Sequence, residues 1–188
     1  IDAVTHAHLQ RAGEILFMLN RSRSTQEIKL FMYDSLQLEL LDIREALLNL
    51  FSFYSDKEQV EKIKKALYLN KKELAANALE LIEVTIKKEY ASTFNSAFED
   101  TDLSFRCLAL KKLIPESAFA DIQKVITRVL NEENAFFNHW TKACSLHTTK
   151  HGSLKVDREL IHQYLQSENI LLRETAAYAV AEPEIKTI

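Results

Sequence analysis

Apolar residues recur along this chain in steps of three and four, the spacing that lines one face of an α-helix. Over 2–20, Leu9, Ala12, Leu16 and Leu19 form such a stripe with Ile15 beside it. Gly13 interrupts the stripe, where a glycine either weakens the helix or lets a neighbour come close. Arg21, Ser22, Arg23 and Ser24 break the pattern, Thr25 is placed to cap the next helix, and Ile28 is its first apolar contact. A long segment, 26–54, then runs Leu36, Leu40, Ile43, Leu47, Leu50 and Tyr54 along one seam. Leu41, Leu48 and Phe51 widen that seam into a face broad enough to be covered on more than one side. Ser55 and Asp56 open a further helix over 57–69, with Val60, Ile63, Ala66 and Leu67 turned inward. No stretch alternates apolar and polar residues between glycine or Asn-Gly turns, so the pattern predicts an all-α fold.

Beyond Asn70 a helical phrase returns four times. Leu74-Ala75-Ala76-Asn77-Ala78, Phe105-Arg106-Cys107-Leu108-Ala109, Thr141-Lys142-Ala143-Cys144-Ser145 and Leu172-Arg173-Glu174-Thr175-Ala176 come into register on Ala75, Arg106, Lys142 and Arg173, at steps of 31, 36 and 31 residues. A period of this length predicts a solenoid of stacked helix pairs. Three residues after the register position stand Ala78, Ala109, Ser145 and Ala176. Small residues there let an adjacent helix approach. Arg106, Lys142 and Arg173 lie one turn earlier, placed to reach acid or amide groups at the preceding turn and staple one repeat to the next. Asn70, Asp100 and Asp102, the segment 132–134, and the segment 167–169 supply polar starts for the four phrase helices. Pro115 begins a helix over 116–130, where its missing N–H costs nothing, and Gly152 is a plausible C-cap. The organisation expected is one domain, 1–188, with two N-terminal helices to residue 56 and repeats over 57–182.

Two glycines and two prolines in 188 residues agree with helices joined by short polar turns. A net charge of −3 argues against a nucleic-acid backbone as the main partner. The densest basic cluster, Lys62, Lys64, Lys65, Lys71 and Lys72, is interleaved with Glu58, Glu61 and Glu73 in the manner of a solvated face. An acidic-partner or anionic-lipid patch is the alternative. Cys107 and Cys144 fall within the repeats, as packed thiols in a reducing compartment do. No run of eighteen apolar residues is present to span a bilayer. A chain beginning at Ile1 is expected to be part of a longer protein.

These residues resemble HEAT repeats, whose second helix carries an apolar residue, an arginine, two variable residues and an alanine-rich run. Phe105-Arg106 with Ala109, and Leu172-Arg173 with Ala176 and Ala177, follow that form, while Lys142 and Ala75 depart from it. A narrower likeness lies in Asn77-Ala78-Leu79-Glu80-Leu81-Ile82-Glu83, Trp140-Thr141-Lys142-Ala143-Cys144-Ser145-Leu146 and Leu172-Arg173-Glu174-Thr175-Ala176. These are similar to the helical region behind the membrane part of bacterial ATP:ADP antiporter-like proteins. The resemblance implies a cytoplasmic α-solenoid attached to a major-facilitator-type nucleotide translocase, with its transport residues outside this chain. The implied partners are other proteins or the membrane portion of the same protein.

Candidate chemistry is sparse. Cys144, His147 and His151 have the spacing to bring three metal ligands to one side of a helix. Packing is the favoured explanation of the first two, because Cys144 lies inside the phrase and His147 takes the aligned place of Tyr178. Glu159 and His162 have the spacing of half a di-iron carboxylate site, but no second such pair occurs. Trp140, Phe136, Phe137 and Phe94 could make an aromatic platform or could be core. The chain has no glycine-rich phosphate loop, nucleophile elbow or zinc-protease motif. The reading is a non-enzymatic interaction scaffold without a cofactor. Its rivals are a stand-alone HEAT adaptor and a HEAT-fold DNA-binding or repair enzyme.

Overall fold

The computed structural model describes residues 1–23, 31–69, 71–114, 119–131, 136–150, 154 and 156–181. Among the described residues the chain is all-helical, with no strand. Its helices are α1 (Asp2–Arg23), α2 (Phe31–Phe51), α3 (Lys57–Tyr68), α4 (Lys72–Thr85), α5 (Lys88–Phe98), α6 (Leu103–Leu110), α7 (Ile122–Asn131), α8 (His139–Lys150), α9 (Arg158–His162) and α10 (Ile170–Val180), with a 3₁₀ turn at Gln163–Gln166 before the last. No described helix is long and apolar enough to cross a membrane.

Side-chain caps explain where many of these helices begin. Asp56, Asp102 and Asp157 each accept the amide two residues on, at 3.1, 2.9 and 3.0 Å. Asp121, Asn138 and Asn169 accept the amide three residues on, at 2.8, 2.9 and 3.2 Å. Each bond satisfies an N–H that the first helical turn leaves open. The starts expected at Thr25, Asn70, Pro115 and 132–134, the contact expected at Ile28 and the cap at Gly152 lie outside the described residues. The third phrase helix begins only at His139, after Asn138, and α7 begins at Ile122 behind Asp121 rather than at 116.

The chain groups into two compact units, one of residues 1–20 and 40–116, the other of 21–39 and 117–188. In the first, α3 packs on α4, α4 on α5 and α5 on α6, in chain order. Its core joins Leu9 of α1 and Leu47, Leu48 and Phe51 of α2 to Val60, Ile63 and Leu67 of α3. Ala78 and Ile82 of α4 and Tyr90, Ala91 and Phe94 of α5 complete it. The stripe read in α1 is buried as expected, from Leu9 to Leu19. Gly13 marks a close approach, because a Cβ there would lie 2.9 Å from Ile114 Cγ1 and 3.2 Å from its Cδ1. The widening of the α2 seam is narrower than expected: Leu48 and Phe51 are buried, but Leu41 is exposed.

The second phrase helix departs from its register. Leu103, Cys107 and Leu110 form the buried stripe of α6, while Phe105, Leu108 and Ala109 face outward. Ala109 is therefore not a close-packing position, unlike Ala78. An eight-residue helix presents only one narrow stripe, and here the three larger buried side chains define it.

In the second unit α8 packs on α7 and α10, and α9 on α7 and α10. The buried set of α8 runs without a gap from Thr141 to Leu146 and includes Thr148, so this helix is covered nearly all round. Ser145 and Ala176, the small positions of the third and fourth copies, are fully buried on α8 and α10.

Candidate functional site

Two basic positions of the phrase donate to backbone carbonyls of the segment before their helix. Arg106 Nη2 donates to the carbonyl of Ala97 in the last turn of α5. Arg173 Nη1 donates to the carbonyl of Ser167, just past the 3₁₀ turn, at 2.7 Å. Carbonyls at a helix end lack intrahelical partners and sit at the negative end of the helix dipole, so a cation is favoured there. Lys142 behaves differently: only 1% of it is exposed, within the covered helix α8. In this copy the residue expected to staple one repeat to the next is buried.

Around α8 and α10 the second unit forms a notch of about 160 Å³ lined by Phe31, Trp140, Ala143, Cys144, His147, Leu171 and Thr175. Three of its pairs hold equivalent positions in the third and fourth copies: Trp140 with Leu171, Cys144 with Thr175, and His147 with the neighbouring Tyr178. The two stripes thus face each other across one notch because α8 and α10 pack together. His147 and Tyr178 stack, with ring centroids 5.3 Å apart and planes 9° apart. Phe31 meets the edge of His147 at 5.6 Å. Lys150 Nζ lies 4.2 Å from the Tyr178 centroid and donates to the carbonyls of Tyr178 and Ala181 at 2.8 and 3.2 Å. It closes the C-terminal end of α10 as Arg106 closes that of α5.

The start of α8 is held from α2. Glu39 Oε1 accepts the amide of Asn138 at 2.8 Å and the hydroxyl of Thr141 at 2.7 Å. Asn169, which caps α10, also shares a 2.9 Å hydrogen bond with the His139 ring at the head of α8. Both ends of the Trp140–Leu171 rim are thereby anchored to polar contacts.

Burial pushes the Cys144 thiol up to about 11, against a smaller opposing effect from its hydrogen bond with Ser35. It is protonated at neutral pH, which disfavours nucleophilic attack, since that needs the thiolate. Cys144 and His147 share the notch, while His151 lies outside the described residues. Among the described residues no group of three His, Cys, Asp or Glu is arranged to hold a metal. Glu159 and His162 are both exposed on α9, whereas a di-iron pair must project into a bundle core. Of the four aromatics that could be platform or core, Phe94 and Phe137 are core. Phe94 is in the core of the first unit against Phe51 and Phe98, Phe137 is fully buried, and Trp140 alone reaches the notch.

Phe31, Glu39, Leu171 and Lys150 were not singled out by the sequence. The repeat register held the signal for Leu171, as the equivalent of Trp140. No local signal marks Phe31 or Glu39, which join the site through tertiary packing. In comparison with known proteins, the chain matches no family model, no curated protein and no solved structure.

Proposed function

We propose that this chain is a non-enzymatic, HEAT-like scaffold that acts by contact with protein partners. The observation that carries this reading is the notch, where equivalent positions of two successive copies present Trp140, Leu171 and Tyr178 at 47%, 38% and 41% exposure. Half-exposed tryptophan and tyrosine beside apolar neighbours are typical anchors of protein contacts. Packing of the third copy on the fourth, and of α3 through α6 in chain order, supports stacked repeats.

From the resemblance carried by Asn77–Glu83, Trp140–Leu146 and Leu172–Ala176, the scaffold is further proposed to be the cytoplasmic portion of a translocase-like membrane protein. Its partner is then the membrane portion or a protein brought to it. Crosslinking in cells, with the wild type beside Trp140→Ala and Leu171→Ser, tests the contact reading. A partner recovered with the wild type and lost in folded variants is the expected result, and recovery indifferent to both substitutions overturns it. The gene sequence upstream tests the attachment: about a dozen bilayer-length apolar spans are expected, and a segment without any refutes it.

A further inference from the structure

A second cavity, in the first unit, has a different chemistry. It holds about 590 Å³ between α2 and α3 and is lined by Arg44, Glu45, Leu48, Glu61, Lys64, Lys65, Leu67, Tyr68 and Leu69. This is the volume range of ordinary ligand pockets. Its floor is apolar, with Leu48 and Leu67 buried, and its rim carries Tyr68 and Leu69 at 86% and 58% exposure.

The charges in it are unequally engaged. Lys64 is committed, with Nζ 2.5 Å from Asn49 Oδ1, 3.1 Å from Glu61 Oε1 and 3.5 Å from Glu45 Oε1. Arg44 makes no hydrogen bond or ion pair among the described residues, although it is partly withdrawn from water. Loss of solvent holds its guanidinium below the usual arginine range, and Glu45 offsets this only in part. Lys65, exposed at the same cavity, is likewise uncommitted. A planar guanidinium that has lost water without gaining a hydrogen bond is well placed to receive a carboxylate in two parallel hydrogen bonds.

We infer that the groove between α2 and α3 is a docking site for an acidic, amphipathic peptide segment of a partner protein. Arg44 and Lys65 receive a carboxylate, and Tyr68, Leu69 and the leucine floor receive an adjacent apolar side chain. Charge complementarity and the exposed tyrosine and leucine at the rim select this occupant over a bare anion, which would leave them in water. The site goes beyond the scaffold reading, since it lies in the first unit and names a partner chemistry.

Fluorescence anisotropy with a fluorescein-labelled peptide, two leucines alternating with two glutamates between serines, provides the test. Controls are the same peptide with glutamines and inorganic phosphate as competitor. The acidic peptide is expected to bind about tenfold more tightly than its glutamine counterpart, as one charge-assisted bidentate contact implies. Arg44→Gln is expected to remove that difference and Lys65→Gln to reduce it. Glu45→Gln should tighten binding, a change that loss of folding does not imitate. Equal affinity for both peptides, no binding at millimolar protein, or displacement by phosphate at the peptide's own concentration overturns the proposal. Trp140→Ala should leave the peptide affinity unchanged, so failure here and failure of the notch are separately visible.

Discussion

Glu39 and Thr141, 102 positions apart, are joined by a 2.7 Å hydrogen bond in which the buried carboxylate of α2 receives the threonine hydroxyl. The same oxygen accepts the Asn138 amide, so one side chain orders the first turn of α8 and with it Trp140. Glu39→Ala is expected to destabilise the protein by about 2–4 kcal/mol, because a helix start and a buried hydroxyl lose their acceptor together. Urea denaturation measures this. A loss within the scatter of surface substitutions would show that the contact contributes little.

Gly13 sits mid-helix, where alanine ordinarily gains about 1 kcal/mol. Here the added Cβ lies 2.9 Å from Ile114 Cγ1, a branch atom of a buried side chain with little room to move. Gly13→Ala is therefore expected to destabilise by about 1–2 kcal/mol, the overlap outweighing the propensity. In a double-mutant cycle, Ile114→Ala should cancel part of that cost, giving a coupling of about 1 kcal/mol. Strict additivity would argue against the overlap.

Cys144 titrates near 11 when folded, above its ordinary value of 9.0. A raised folded pKa means that the unfolded chain releases its proton first as the pH rises. The stability it contributes is complete below pH 9.0 and falls away as the pH climbs towards about 11. Thermal melts from pH 8 upward should decline more steeply for the wild type than for Cys144→Ala. At pH 8 native Cys144 should also react with iodoacetamide about a hundredfold more slowly than after unfolding.

Asp2, Tyr54 and Lys87 form an exposed clasp. Asp2 Oδ1 accepts the Tyr54 hydroxyl at 2.6 Å, and Lys87 Nζ reaches both Asp2 oxygens at 3.1 and 3.0 Å. The Tyr54 hydrogen bond first, and Lys87 second, hold the Asp2 carboxyl below the usual range. Its contribution to stability is therefore present above the unfolded pKa and lost as the pH falls through the folded one. Tyr54→Phe should raise the Asp2 pKa in a carboxyl NMR titration more than Lys87→Met does. The reverse order would show that the charge dominates.

Much of the fold was legible from short-range spacing. The buried stripes of α1 and α3, and the caps at Asp56, Asp102 and Asn169, follow from periodicity and from the open amides of a helix start. The aligned places of His147 and Tyr178 were legible as well, and in the structure the two rings stack. The second phrase copy shows the limit of that reading. Ala109 matches Ala176 by position, yet it faces outward because Leu103, Cys107 and Leu110 take the inner side of the short helix α6.

By itself the sequence determined helicity and the starts of many helices, because these depend on side chains within a turn or two of each other. Tertiary structure decided which helix is covered all round, and so why Lys142 is buried on α8. It also brought Phe31 and Glu39 of α2 to residues about a hundred positions away. Local periodicity specifies which face of a helix is apolar. Only packing among helices specifies what covers that face and which polar groups must find partners once water has left.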